Sequence, residues 1–192
     1  MNRIIAAILF VGLSAHPLLS EEQRYVIAAE LSSLTFDVDA KIHHVHGVSR
    51  EFSGEIIGDP EDFAKAKISV RLNPKDFDTA NKSRDKVMRE KSLEVEKFPF
   101  IEFTSTAVEA SENKLEYGKP VNASIKGILT LHGVGKELTI PVKIYWDGEK
   151  LAAEGNVALL LDDWKIYRPK ILFFRLENDI KIHFRVGARK SL

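Results

Sequence analysis

Apolar and polar residues alternate along most of the chain after residue 20, and a period of two is typical of half-buried β-strands. The clearest alternation lies at 34–42, 137–146 and 179–186. Weaker alternation recurs at 48–57, 66–72, 100–108, 121–131 and 151–161. Clusters of Gly, Pro, Asn and Asp separate these segments, as expected for turns. The pattern therefore predicts a chain of antiparallel strands.

One segment departs from this pattern. Residues 79–92 read TANKSRDKVMREKS, lack turn residues after Asn81 and are rich in helix formers. Thr79 or Asn81 can cap the start of a helix, and Asp85 stands four residues before Arg89, a favourable helical pair. We predict one short helix here.

Eight or more strands and one short helix, in about 170 residues, predict a single all-β domain, either a sandwich or a barrel. Because the inward faces stay apolar on consecutive hairpins, we expect an antiparallel eight-stranded barrel, which either fills itself with side chains or holds one small ligand. The apolar residues expected to face inward, and to contact a ligand if there is one, are Phe36, Val38, Phe52, Ile68, Val70, Phe103, Leu129, Ile140, Val142 and Phe184.

The first 20 residues differ from the rest of the chain. Arg3 precedes a run of 12 weakly polar to apolar residues, from Ile4 to Ala15, and a charged segment follows at Glu21. This arrangement is typical of a secretory signal peptide, and the run is shorter than the ~20 residues that a membrane span needs. We predict a signal peptide at 1–20, a barrel domain at 21–192, no stable membrane span after cleavage, and a periplasmic or secreted location.

Composition excludes several classes of function. Lys+Arg and Asp+Glu both number 28, so the basic excess of a nucleic-acid-binding protein is absent. There is no cysteine, which excludes thiolate catalysis, disulfides and cysteine metal sites. No Gly-x-Ser-x-Gly elbow occurs, and the glycines at 133–135 do not have the spacing of a phosphate loop. We predict no cofactor and no catalysis.

Three of the six histidines stand in the segment KIHHVHG at 41–47. If the preceding alternation continues, His44 and His46 face inward and His43 faces outward. Two histidines on one strand face can share a metal ion, but the local sequence supplies no third ligand. His44 and His46 could instead form a polar rim at a cavity mouth, or simply end a strand near solvent.

Arg84, in the predicted helix, is another candidate for contact with a ligand headgroup. Its guanidinium has forked donors that suit a phosphate or a quinone carbonyl. The alternative is a structural role, in which Arg84 and Asp85 pair with neighbours and fix the helix onto the barrel.

Three blocks of sequence carry a resemblance to a known family. The first, at 77–106, contains Asp78-Thr79, Arg84-Asp85, Phe98-Pro99, and a strand Ile101-Glu102-Phe103 followed by Ser105-Thr106. The second is Phe52-Ser53-Gly54-Glu55-Ile56, and the third is GILTLHGVGKELTIPV at 127–142. Together they resemble the YceI-like family of secreted, lipocalin-like, polyisoprenoid-binding proteins, over about 24–187. The resemblance implies a barrel with an elongated apolar cavity that takes an isoprenoid chain lengthwise, with no reaction and no required metal.

The leading hypothesis is a binding or carrier protein for a polyisoprenoid, an isoprenoid quinone or another amphiphilic lipid. A metal-dependent enzyme that uses His44 and His46 is one alternative. Another is a stress-related interaction module with a packed core, which a cavity below about 300 Å³ would favour. The oligomeric state stays open, since a strand edge near Pro141 would allow a homodimer.

Overall fold

The computed structural model describes residues 22–40, 43–171 and 174–191. The predicted signal peptide at 1–20 lies outside these residues and stays a prediction. In the described part of the chain, no helix has both the length and the apolar character needed to cross a membrane.

Strands make up most of the described chain, with a single α-helix between the fifth and sixth strands. The strands are β1 (Gln23–Ile27), β2 (Ser33–Ala40), β3 (His43–Ser49), β4 (Phe52–Asp59), β5 (Asp62–Leu72), β6 (Ile101–Ala110), β7 (Val121–Leu131), β8 (Val134–Trp146), β9 (Lys150–Leu160), β10 (Lys170–Ile171), β11 (Phe174–Arg175) and β12 (Asp179–Lys190). The helix, α1, spans Lys82–Val87.

The sheet closes on itself. Hydrogen-bonded neighbours run β1, β4, β5, β6, β7, β8, β9 and β12, and β12 returns to pair with β1. β2 continues β1 after a break at 28–32, since β12 pairs with β1 near its end and with β2 along its first half. β3 likewise precedes β4 across a break at 50–51. The wall therefore has eight positions, all antiparallel, and the predicted eight-stranded barrel with one short helix is confirmed.

β2 and β3 form a hairpin, whereas the inward orientation expected for His44 and His46 assumed that the strand at 34–42 continues through them. β2 ends at Ala40 and β3 begins at His43, and the two run antiparallel with Ala40 opposite His43 and Val38 opposite Val45. Cross-strand partners point to the same face of a sheet. His43 and Val45 therefore share the inner face with Ala40 and Val38, which reverses the faces expected for a continuous strand.

The two ends of the barrel differ. At one end, Tyr25 and Phe63 are buried inside the barrel, and the indole Nε1 of Trp146 donates a hydrogen bond to the Tyr25 hydroxyl at 2.9 Å. We call this the closed end. The opposite end carries α1 and the segment 161–177, which contains β10 and β11, and we call it the open end.

The predicted short helix is confirmed as α1, and a π-helical turn over Met88–Ser92 continues it. Asn81 caps the helix, because its side-chain oxygen accepts a hydrogen bond from the Arg84 backbone N–H at 3.0 Å. Backbone hydrogen bonds between Asp78 and Val48 tie the preceding residues to β3. These bonds hold α1 at the open end of the barrel.

Pro141 marks the place where β8 gains its second neighbour. β8 pairs with β7 along its whole length, but its ladder with β9 runs only from Val142 to Trp146. Proline has no N–H to donate, so it is placed where the ladder begins. This agrees with the strand edge that the sequence predicted, and the homodimer stays a prediction.

Candidate functional site

The barrel encloses an apolar cavity of about 720 Å³. Every one of the eight wall positions contributes lining side chains. Cavities that bind small molecules usually measure about 300–1,000 Å³. Because this barrel is not filled by its own side chains, the structure argues against the packed-core alternative.

The inward-facing residues were correctly placed by alternation, since all ten line the cavity: Phe36, Val38, Phe52, Ile68, Val70, Phe103, Leu129, Ile140, Val142 and Phe184. Half of them are buried and the rest are partly buried against the core. Partial burial is expected of side chains that border an empty lumen. Their role as ligand contacts stays a prediction.

Polar lining residues are confined to the open end, in α1, in its flanking turns, at the tip of β3 and in the segment 161–177. They are His43, Thr79, Asn81, Ser83, Arg84, Ser92, Tyr167 and Lys170. The sequence reading missed all of them except Arg84. Most lie in loops or at chain reversals, where no regular period predicts which way a side chain points.

The inward orientation predicted for His44 and His46 is wrong. Both lie on the outer face of β3, with 57% and 54% of their side-chain surface exposed, and neither lines the cavity. His43, which was expected to face outward, lines the cavity instead. The reversal between β2 and β3 explains the exchange, because it restarts the alternation on the opposite face.

The two outward histidines form an ion cluster with two aspartates of β2. The imidazole of His44 lies between Asp39, at 2.7 Å from Nδ1, and Asp37, at 2.8 Å from Nε2. His46 Nδ1 lies 2.8 Å from the same Asp37 oxygen. Hydrogen bonds that His44 donates to Asp39 and Asp37 raise the pKa of His44, and the bonds that Asp37 accepts from His46 and His44 lower the pKa of Asp37.

This cluster does not supply the metal site that the alternative hypothesis needs. Within residues 22–40, 43–171 and 174–191, no group of three His, Asp, Glu or Cys side chains is arranged to hold a metal ion. The carboxylates instead bond to the ring nitrogens of His44 and His46. Cross-strand pairs of this kind stabilise a hairpin.

The cluster predicts a pH dependence of the β2–β3 hairpin. The raised pKa of His44 stabilises the hairpin below pH 6.5 and this contribution is lost as the pH rises through the folded-state pKa. The lowered pKa of Asp37 stabilises it above pH 3.8 and is lost on acidification. The cluster therefore contributes most to the stability of the hairpin between pH 3.8 and pH 6.5.

An NMR titration of the imidazole signals tests this prediction. We expect His44 to titrate above pH 6.5. The Asp39→Asn substitution should lower the pKa of His44, because the hydrogen bond to Asp39 is the largest cause of its increase. Asp62→Asn, at the closed end, is the matched control. An unchanged His44 midpoint in Asp39→Asn would contradict the assignment.

Arg84 lines the cavity and is also part of a hydrogen-bond network, while its contact with a headgroup stays a prediction. Its Nε donates to the Thr79 hydroxyl oxygen at 2.8 Å, and its Nη2 donates to the Thr79 carbonyl oxygen at 2.5 Å. The Thr79 hydroxyl in turn donates to Asp85 at 2.5 Å. Thr79 and Asp85 are both buried. The guanidinium is therefore held in one orientation at the open end.

A second network fixes the open end around His132. Its Nε2 lies 2.7 Å from a Glu94 carboxylate oxygen, and its Nδ1 lies 3.1 Å from the Trp164 carbonyl oxygen. The Phe98 ring packs edge-on at 4.5 Å from the imidazole. These contacts join the turn after α1 to the segment that follows β9. We assign His132 a structural role.

Comparison with known proteins agrees with this geometry. The chain matches the model of the YceI-like domain over residues 25–188. A UPF0312 protein of Pseudomonas putida (strain W619) is 32% identical over 157 residues, which cover 76% of this chain and 78% of the relative. Protein YceI of Salmonella arizonae is 30% identical over 141 residues, or 67% of this chain and 70% of the relative.

Solved structures share the fold. BcnA of Burkholderia cenocepacia superposes with a TM-score of 0.71 at 18% identity and covers 84% of this chain and 99% of its own. A polyisoprenoid binding domain of Saccharophagus degradans, implicated in plant cell wall breakdown, has a TM-score of 0.71 at 13% identity and covers 89% and 100%. The family model spans nearly the whole described barrel, and the chain belongs to the YceI-like family.

Proposed function

We propose that this protein binds or carries a polyisoprenoid, an isoprenoid quinone or a similar amphiphilic lipid, without catalysis. The apolar chain occupies the barrel, and the polar head lies at the open end. The observation that carries this proposal is the distribution of polarity in the cavity. Its walls are apolar from the closed end upward, and its polar side chains are confined to the open end.

The energetics of such binding require little polar contact. Burial of apolar surface contributes about 0.8 kcal/mol per CH₂ group, so a chain that buries about twenty such groups gains about 16 kcal/mol. Association costs about 4–15 kcal/mol in lost freedom. A long prenyl chain can therefore bind through the lumen alone, and no reactive side chain is needed.

Two further observations support the proposal. The family is of a binding-protein type, and one structural neighbour is a polyisoprenoid binding domain. The signal-peptide pattern at 1–20 supports a periplasmic or secreted location. A carrier of a water-insoluble lipid suits an aqueous compartment next to a membrane.

Native mass spectrometry of the protein, recovered from the periplasmic fraction of its host, tests this function. We expect a population with an added mass that organic solvent extracts as a lipid. Protein stripped of that lipid should take up an added all-trans polyprenol with one-to-one stoichiometry. A protein that retains nothing and takes up neither polyprenol nor quinone would overturn the proposal.

A further inference from the structure

The barrel wall is interrupted between β8 and β9. The ladder between these strands extends from Trp146 to Val142, which lies opposite Gly155, and it ends there. In the part of the chain that the structure describes, residues 134–141 of β8 have no ladder partner on this side, although β9 continues through 156–160. We call the gap between residues 134–141 and 156–160 the slit. It runs from the middle of the barrel wall to the open end.

Two residues account for the end of the ladder at the base of the slit. Pro141 has no N–H to donate to β9. A Cβ atom on Gly155 would lie 2.6 Å from the Pro141 carbonyl oxygen, so the strands approach this closely only because Gly155 has no side chain. A depression on the outer surface is lined by Pro141, Val142, Gly155 and Asn156. Val142 also lines the cavity, so the wall here is one residue thick.

Side-chain contacts close the slit at its upper end. The Lys136 ammonium group lies 3.2 Å from an Asp163 carboxylate oxygen and 5.4 Å from the centre of the Trp164 ring. His132, in the turn before β8, contacts the Trp164 carbonyl oxygen. Among the described residues, no backbone–backbone hydrogen bond crosses the slit. The Lys136 and Asp163 side chains are 37% and 48% exposed, and ion pairs this exposed are weak.

A second interruption of the wall, between β5 and β6, is sealed in a different way. The ladder between these strands covers only residues 69–72 of β5. The loop before β7 fills the rest, because the Phe63 N–H donates to the Asn113 carbonyl oxygen at 2.8 Å and the Leu115 N–H donates to the Pro60 carbonyl oxygen at 2.7 Å. Leu115 is also fully buried. Opening this gap would break backbone bonds and expose a core residue, whereas opening the slit breaks only side-chain contacts.

The edges of the slit are apolar. Leu138 and Ile140 of β8 and Val157 of β9 line the cavity and are only partly buried. Leu160, at the end of β9, does not line the cavity and is 46% exposed. Outward positions of a strand that faces water are usually polar. An apolar chain that crosses the slit would therefore contact apolar side chains on the outer surface and at both inner edges.

We propose that the apolar chain of the lipid enters and leaves the barrel sideways, through the slit, when β8 and β9 part above Pro141. The inference rests on the proposed function and adds the route by which the cavity is filled. Passage through the slit requires the loss of the Lys136 contacts but of no strand ladder. Sideways entry also spares the chain from being threaded along its full length past α1.

A covalent lock across the slit tests the route. If the register of Val142 opposite Gly155 is continued five residues toward the open end, Glu137 is level with Leu160. Both residues are exposed, and the chain has no cysteine of its own. The double variant Glu137→Cys, Leu160→Cys can therefore be joined by a flexible bis-maleimide that carries a cleavable disulfide, and intact mass verifies the linkage.

The measurement is the rate at which lipid-free protein takes up a fluorescent polyprenol from phosphatidylcholine vesicles. We expect the lock to slow uptake at least about tenfold, because the gating motion is blocked, and we expect reduction of the linker to restore the rate. Glu137→Cys, Ile128→Cys is the matched control. It joins the same β8 residue to its in-register partner on β7, where the ladder is complete, and its uptake should stay normal.

Loosening the slit is the complementary test and needs no cross-link. Lys136→Met removes the contacts with Asp163 and Trp164 and should accelerate uptake and release about three- to tenfold, with equilibrium affinity unchanged. Lys143→Met changes an exposed lysine of the same strand where the β8–β9 ladder is intact, and it should have no effect.

The outcomes separate the route from the function. Equal uptake rates in the two cross-linked proteins, or an unchanged rate in Lys136→Met, would overturn the slit as the route and leave the lipid carrier intact. Failure of the wild-type protein to take up any polyprenol would overturn the proposed function itself.

Discussion

Replacing Val157 with Trp is expected to weaken lipid binding about 100-fold or more, because the indole would occupy the lumen that the lipid chain needs. Val157 lies in β9, is partly buried and faces Ile182 of β12 across the ladder. Both residues line the cavity. Excluding about four CH₂ groups of the ligand costs about 3 kcal/mol, which corresponds to roughly 100-fold in affinity.

The neighbouring residue provides the control for this prediction. Ala158 is exposed on the outer face of β9, so Ala158→Trp adds the same bulk outside the barrel. Native mass spectrometry or a fluorescent-lipid displacement assay should show normal binding in Ala158→Trp and loss in Val157→Trp. Thermal unfolding should give folded proteins in both cases, because the indole of Val157→Trp enters empty space. Normal uptake by folded Val157→Trp would place the ligand elsewhere.

The Gly54→Ala substitution is expected to destabilise the fold by about 2–5 kcal/mol. Gly54 lies in β4 with a φ of +127°, a conformation that L-residues rarely adopt. A Cβ atom there would lie 2.1 Å from the backbone oxygen of Ser69 on the adjacent strand. A backbone atom cannot move aside as a flexible side chain can, so either the β4–β5 pairing breaks or the strand shifts.

Gly148→Ala separates the clash from the cost of positive φ. Gly148 has a φ of +88° in the turn between β8 and β9, but no atom lies within 4 Å of the position its Cβ would take. We expect a loss of only about 1–2 kcal/mol for this variant. Urea unfolding of both variants measures the difference. Equal losses would mean that the contact with Ser69 contributes nothing.

Residues in regular strands were predictable at the level of single side chains. Phe36, Ile68 and Phe184 were assigned to the inner face from alternation alone, and all three line the cavity. A strand has a side-chain period of two, so one correctly placed apolar residue determines the face of its neighbours. The resemblance over Phe52–Ile56 likewise included Gly54, whose backbone conformation requires glycine.

The histidines show where this reasoning fails. One chain reversal between Ala40 and His43 moved His44 and His46 outward and His43 inward. Residues 41 and 42 lack the Gly or Asn that commonly signals a two-residue turn. Local sequence therefore favoured a continuous strand, and the β2–β3 pairing overrode that preference.

Alternation by itself determined that this protein consists of strands with one apolar face and favoured a closed barrel, because the period of side chains is a local property of the chain. Only the tertiary structure decided that the interior is a cavity and not a packed core, since an empty volume depends on the distance between opposite walls. The tertiary structure also decided which polar residues meet at the open end of the cavity. Arg84 and Lys170 are 86 positions apart in sequence, and the folding of α1 and β10 over the same opening places both at one cavity.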